Sequence, residues 1–160
     1  MQPDGARAKT NRKGRQTMTS TQQIQSGGLI MGKLGHGGDM LEEITGICTR
    51  ENIRLGRIEA IGAVRRARLA YYDQQEREYR YFTIDRPLEI TKLTGNVSIK
   101  EGKPMVHAHI TLADEDGKMY GGHLGPGTLV FACELIIESF IGPDFERGYD
   151  EQTGLALWQI

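Results

Sequence analysis

The chain has 160 residues and a mass of 17.9 kDa, with 38% hydrophobic residues, 26% charged residues and a net charge of −1 at pH 7. This length fits one domain that can bury a core without disulfides. No apolar run approaches the roughly 20 residues of a membrane-spanning helix, and the polar N-terminus lacks the apolar stretch of a secretory signal, so membrane and secreted proteins are disfavoured.

The N-terminal segment is predicted to be a disordered basic tail that covers residues 1–26, ahead of a folded domain over 27–160. The tail is polar and has no hydrophobic periodicity. Its first 16 residues carry a net charge of +4, whereas the remainder of the chain carries −5. Met18 is an alternative start to Met1, and the sequence does not decide between them.

The most basic part of the tail contains the candidate nucleic-acid-binding residues Arg12, Lys13 and Arg15. A short basic arm of this kind can neutralise phosphates or enter a minor groove of DNA. The same charges would also suit a tail that only keeps the protein soluble. The sequence leaves both alternatives open.

A strand over residues 29–34 and then a helix over 40–51 are the first predicted elements. Asp39 is expected to cap the helix, with Glu42 three residues later at capping-box spacing. The apolar residues of the helix recur at helical spacing, which predicts one amphipathic helix.

After the helix the pattern is that of strands, separated by turn signals rich in Asp, Gly and Pro. We expect strands near 53–63, 64–72, 78–84, 88–100, 104–113, 118–124, 128–140 and 154–159. The segment 128–140 could also form a helix, but its β-branched residues favour a buried strand. One helix with many antiparallel strands predicts an α+β domain.

Three of the four histidines, His107, His109 and His123, fall within seventeen residues. Residues 106–112 alternate between apolar and polar side chains, which places His107 and His109 on the same face of a strand. The next strand follows a turn. If that turn has three or five residues, the numbers of paired residues sum to 230 or 232, so His123 lies opposite His107 or His109 on the same face. A turn of two or four residues would direct His123 to the other face.

Three neutral imidazoles without a fourth protein ligand describe an open zinc-type site. The alternative is three polar side chains on a solvated sheet face. A zinc-bound water could also support hydrolysis. That activity would require a nearby acid or base, and the candidates are Glu89 and Glu134.

The two cysteines, Cys48 and Cys133, match neither a disulfide framework nor a metal-binding CxxC motif. We therefore expect reduced thiols in a protein of the cytoplasm.

The body of the chain resembles the plants-and-prokaryotes-conserved (PPC) domain, which follows DNA-binding AT-hooks in plant proteins. The resemblance covers residues 29–140, and several motifs occur in the family's order and spacing. These motifs are GDML at 38–41, IGA at 61–63, LAYYD at 69–73, LEITKLTGNV at 88–97, GKPMVHAH at 102–109 and GGHL at 121–124.

The resemblance implies an antiparallel sheet domain that assembles as a homotrimer and has no established catalytic activity. It also implies that His107, His109 and His123 occupy the positions that bind a metal, zinc, in some prokaryotic members. An AT-hook contains Arg-Gly-Arg-Pro, whereas residues 13–16 of this chain read KGRQ and lack the proline that would fix the extended arm.

Three hypotheses follow from the sequence. The first is a trimeric, metal-binding PPC protein of the cytoplasm with a regulatory, DNA-associated role. The second is a DNA-binding protein in which three weak basic arms act together through avidity. The third is a zinc-dependent hydrolase of a small substrate.

Overall fold

The computed structural model describes residues 19–160 and contains, within them, one helix and nine strands. The helix α1 is Met40–Arg50, and the strands are β1 (Gln25–Lys33), β2 (Gly56–Asp73), β3 (Glu78–Ile84), β4 (Leu88–Lys100), β5 (Lys103–Ala113), β6 (Met119–Leu124), β7 (Leu129–Ile141), β8 (Arg147–Tyr149) and β9 (Ala156–Trp158). The predicted α+β fold, an antiparallel sheet domain with one helix, is confirmed. Within residues 19–160, no helix has the length and apolar character needed to cross a membrane.

The structure differs from the sequence-based prediction in three main places. Gln25 and Ser26, expected in the tail, belong to β1 and pair with Ile141 and Phe140 of β7. The predicted strands 53–63 and 64–72 form the single strand β2. Its register shifts once against β4 and twice against β7. The short strand β8 was not predicted at all. The predicted disorder of residues 1–18 lies outside the described residues.

Helix α1 begins where Asp39 caps it. The Asp39 side chain accepts hydrogen bonds from the backbone N–H groups of Leu41 and Glu42, at 3.0 and 3.1 Å. These bonds satisfy two of the N–H groups that a helix leaves unpaired at its start. Met40, Ile44 and Cys48 recur at every fourth position, are fully buried and belong to the one hydrophobic core.

The main sheet has seven strands, with β1, β7, β2, β4, β5 and β6 in order and β3 paired to β2. The sheet curls back on itself, because β6, the last strand in this order, also pairs with the C-terminal part of β2. The inner face carries the buried apolar side chains that form one core with α1. The alternate residues of each strand lie on the opposite side, which we call the outer face.

Candidate metal centre

The turn between β5 and β6 determines whether the three histidines meet. Its five residues, 114–118, pair Ala113 with Met119 and His109 with His123, so the partner numbers sum to 232. The side chain of Asp114 accepts hydrogen bonds from the backbone N–H groups of Asp116 and Lys118, at 3.1 and 2.9 Å. The predicted convergence of the histidines is therefore present, in the longer of the two registers allowed above.

His107, His109 and His123 form one cluster on the outer face. Their ring centroids are 5.1 to 5.5 Å apart. One nitrogen from each ring can be chosen so that all three lie within 4.8 Å of one another. His107 and His123 are half-buried, whereas His109 is exposed. On β5, the apolar residues Val106, Ala108 and Ile110 alternate with His107 and His109 and are buried on the inner face. The two imidazoles therefore point to the outer face.

Two of the ring nitrogens are buried without any hydrogen-bond partner. They are Nε2 of His107 and Nδ1 of His123. Buried polar atoms are almost always hydrogen-bonded, and an unpaired one costs about 1–3 kcal/mol. The cluster therefore has lone pairs available for a ligand, and imidazole nitrogens suit zinc and other transition metals. The residues fit a metal ion.

Burial keeps these imidazoles in the neutral form that a metal requires. Desolvation, with smaller contributions from the charge of Arg147 and from the neighbouring histidines, lowers the pKa of His107 to about 4. Desolvation also lowers the pKa of His123 below its usual value. Both side chains are therefore uncharged near neutral pH, and a metal ion need not displace protons from them.

Tyr79 of β3 covers one side of the cluster. Its ring stacks on His123, with centroids 4.6 Å apart. Ala70 pairs with His123 of β6 on one side and with Tyr81 of β3 on the other. Because Ala70 has no side chain beyond Cβ, the Tyr79 ring can extend across β2 to the imidazole. The alternation of β5 and β6 does not reveal this contact, because Tyr79 lies on a different strand pair.

Arg147 of β8 covers the opposite side, and the sequence analysis did not identify it. Its guanidinium donates hydrogen bonds to Oγ of Ser98 at 2.7 Å and to Oδ1 of Asn96 at 2.8 Å. Asn96 is the cross-strand partner of His107, and directly opposed Cβ atoms lie about 4.5–5.5 Å apart. Arg147 thus places a positive charge beside the histidines. No hydrophobic periodicity pointed to it, since β8 has only three residues.

Glu89 and Glu134, the candidate acids or bases for hydrolysis, lie elsewhere on the sheet. Glu89 pairs with Ala113, which is four residues from His109 along β5. At the rise of a strand, Ala113 and His109 are about 13 Å apart. Glu134 lies on β7, which β2 and β4 separate from the histidine strand β5. Neither carboxylate is placed to assist a water bound at the cluster.

Gly122, which precedes His123 on β6, lies close to the backbone of β2. A Cβ on Gly122 would lie 2.9 Å from the carbonyl oxygen of Ala70. The missing side chain therefore lets the backbone of β6 approach β2. The nucleic-acid candidates Arg12, Lys13 and Arg15 lie outside the described residues.

The fold and the cluster together define a class of protein: a curled antiparallel sheet with one inner helix and three histidines on its outer face. The sequence profile of the Plants and Prokaryotes Conserved (PCC) domain, the domain abbreviated PPC above, matches residues 21–141. The chain belongs to this family.

Two solved structures share the fold over 89% of this chain. A metal-containing protein from Archaeoglobus fulgidus is 40% identical, with a TM-score of 0.85 and all of its own chain covered. A plant- and prokaryote-conserved (PPC) protein from Pyrococcus horikoshii is 32% identical, with a TM-score of 0.83 and 98% of its own chain covered.

A curated relative is much longer than this chain. The bifunctional protein GlmU of Synechococcus sp. (strain JA-3-3Ab) is 30% identical over 120 residues, which are 74% of this chain but 18% of that protein. The similarity is confined to that portion of GlmU.

Proposed function

We propose that this protein binds a divalent metal ion, zinc, through His107, His109 and His123. The observation that carries the proposal is the pair of buried, unpartnered nitrogens, Nε2 of His107 and Nδ1 of His123, within a cluster whose ligand atoms lie within 4.8 Å of one another. The metal-containing relative from Archaeoglobus fulgidus supports it.

Zinc suits the donor set because it accepts three imidazoles and keeps a further position open. When bound there, it would supply a Lewis acid for a ligand that reaches the outer face. The chain's own contribution is to orient three imidazoles, through the inner-face packing of β5 and the stacking of Tyr79 on His123, and to keep His107 and His123 neutral by burial.

The test is the metal content per chain of untagged protein, measured by mass spectrometry after removal of loosely bound ions. We expect close to one zinc per chain, and its loss in His107→Ala. The matched control is His36→Ala, because His36 lies outside the cluster and contacts Phe131. If the protein is isolated without metal and also does not take up added zinc, the proposal is wrong.

We also propose that the protein is a homotrimer. The outer face exposes large apolar side chains on three adjacent strands: Leu29 and Met31 of β1, Ile136 of β7 and Ile61 of β2, which are 40–77% exposed. Contiguous apolar surface of this kind is typical of protein interfaces. The charged residues Lys33, Glu59 and Glu134 alternate with these apolar side chains across the three strands.

We place the protein in the cytoplasm. Cys48 and Cys133 are both free and buried, and burial raises the pKa of each thiol to about 11. Thiols of this kind are unreactive structural residues and suit a reducing compartment.

Association with DNA through the N-terminal arm is the second candidate function. The observation that favours it is the net charge of +4 in residues 1–16, with Arg12, Lys13 and Arg15 at its centre. A trimer would present three such arms, and their combined affinity would exceed that of one. The folded body, with a charge of −5, would oppose this binding.

A further inference from the structure

The guanidinium of Arg147 is buried without an opposite charge. Arg147 is 9% exposed, and among residues 19–160 no Asp or Glu forms an ion pair with it. Its three acceptors are the neutral oxygens of Ser98, Asn96 and the Ala156 carbonyl. Buried charges are usually paired, because an unpaired ion loses its hydration without compensation.

The hydrogen bonds of Arg147 leave donors free. A guanidinium has five N–H groups, and the three bonds use one on Nε and one on each terminal nitrogen. One N–H therefore remains on each terminal nitrogen. This arrangement holds the group rigidly and leaves two N–H donors for a ligand, and a guanidinium is well suited to bind a carboxylate.

Arg147 and the histidine cluster share one surface. Asn96, an acceptor of Arg147, is directly across from His107. The charge of Arg147 also contributes to the lowered pKa values of His107 and His123, whereas no carboxylate counters it at either histidine. A divalent ion on three neutral imidazoles would add two positive charges beside the positive charge of Arg147. Among residues 19–160, no Asp or Glu forms an ion pair with Arg147 to balance this charge.

The C-terminal segment that carries Arg147 is fastened on both sides of the cluster. Arg147 joins it to β4, and the Tyr72 hydroxyl donates to the Thr153 carbonyl at 2.7 Å from the β2–β3 side. The Trp158 ring also lies 5.7 Å from the guanidinium. This segment follows the last residue, 141, that the family profile matches. Arg147 therefore lies beyond the region that the profile matches.

We propose that Arg147 and the metal centre together form a binding site for a small carboxylate. This inference rests on the proposed metal site. One oxygen of the carboxylate would take the open position on the metal, and its negative charge would be held by the free N–H groups of Arg147. Arg147 is a ligand-binding residue in this arrangement and does not hold the metal.

The probe is acetate, titrated into protein loaded with cobalt(II), whose visible absorption reports ligands at the metal. Imidazole is the neutral comparison, because it binds cobalt without needing a cation nearby. We expect Arg147→Gln to weaken acetate binding by about tenfold or more, since a hydrogen bond to a charged group is lost, and to leave the imidazole affinity unchanged. Arg147→Lys, which keeps the charge, should retain part of the acetate affinity.

Arg77→Gln is the matched control. Arg77 also binds the C-terminal segment, at the carbonyls of Glu151 and Gln152, but not at the β4 side of the cluster. This variant should bind acetate as the wild type does. If Arg147→Gln takes up cobalt and binds acetate with wild-type affinity, or loses acetate and imidazole equally, the carboxylate site is wrong and the metal site stands. If no variant and no wild-type protein takes up cobalt, the metal site itself is wrong.

Discussion

Tyr79 and His123 lie nearly face to face, with ring centroids 4.6 Å apart and ring planes inclined by 29°. Tyr79 therefore shields one side of the His123 imidazole and limits its rotation. We expect Tyr79→Leu to weaken zinc binding about two- to tenfold, because a stacked aromatic pair contributes about 0.5–1.5 kcal/mol beyond its buried area. Competition with a chromogenic chelator measures this affinity.

Tyr79→Phe provides the control for this prediction. It keeps the stacked ring and removes only the hydroxyl, so its zinc affinity should stay within about twofold of the wild type. A Leu variant with the same affinity as the Phe variant would show that the stacking does not support the metal site.

The stability of the metal-free protein should fall as the pH is lowered from about 6.5 to about 4. In the unfolded chain His107 has its ordinary pKa of 6.5, whereas burial lowers its pKa to about 4 in the folded state. Between these values the unfolded state binds a proton that the folded state does not bind, so protonation favours unfolding. Urea titrations across this range measure the effect.

Other groups titrate over the same range, so the informative quantity is the difference between variants. His107→Gln should make the free energy of unfolding depend less steeply on pH. One proton changes this slope by at most about 1.4 kcal/mol per pH unit, and we expect a fraction of that change. Equal slopes in the wild type and His107→Gln would contradict the burial of His107 as the cause.

Gly122→Ala should destabilise the fold by about 1–3 kcal/mol, the usual cost of overpacking. Its new methyl group would lie 2.9 Å from the Ala70 carbonyl oxygen and force β6 away from β2. Because His123 is the next residue on β6, zinc affinity should fall as well. Gly32→Ala is the matched control, since its Cβ would meet nothing within 4 Å. Equal urea midpoints for the two variants would contradict this account.

Much of the histidine cluster could be predicted from the sequence because it follows from two local rules. The alternation of residues 106–112 places His107 and His109 on one face, and the length of the following turn determines whether His123 joins them. The sequence allowed two registers, and the hydrogen bonds of Asp114 within the turn accompany the one that forms.

Arg147 could not be predicted in this way. It reaches Ser98 and Asn96 across 49 and 51 residues of sequence, from a three-residue strand that has no periodicity of its own. The continuity of β2 was missed for a related reason. Its bends are register shifts near Gly62, which interrupt the alternation and resemble a break between two strands.

Met31→Glu should weaken self-association of the protein. Met31 is 77% exposed at the centre of the apolar part of the outer face, where it pairs with Ile136. A carboxylate buried at an interface without a partner is costly. Light scattering should give about three times the chain mass of 17.9 kDa for the wild type and a smaller mass for the variant. Tyr149→Glu, 69% exposed on β8, should remain trimeric.

DNA binding by the N-terminal arm should depend on its charges and on salt. We expect the triple change of Arg12, Lys13 and Arg15 to Gln to weaken binding to duplex DNA and to reduce the dependence of the affinity on salt, because each phosphate contact releases a counterion. Fluorescence anisotropy at several salt concentrations measures both quantities. The control replaces three exposed lysines of the folded body, Lys100, Lys103 and Lys118, by Gln.

Charge substitution is a cleaner test than removal of the whole predicted tail, residues 1–26. Ser26 donates to Glu138 at 2.9 Å, and Gln25 pairs with Ile141, so that deletion would remove part of β1. Deletion of residues 2–18 avoids this damage and should weaken DNA binding as much as the triple substitution. If both tail variants bind DNA with wild-type affinity and salt dependence while the body variant loses binding, the folded domain and not the arm contacts DNA.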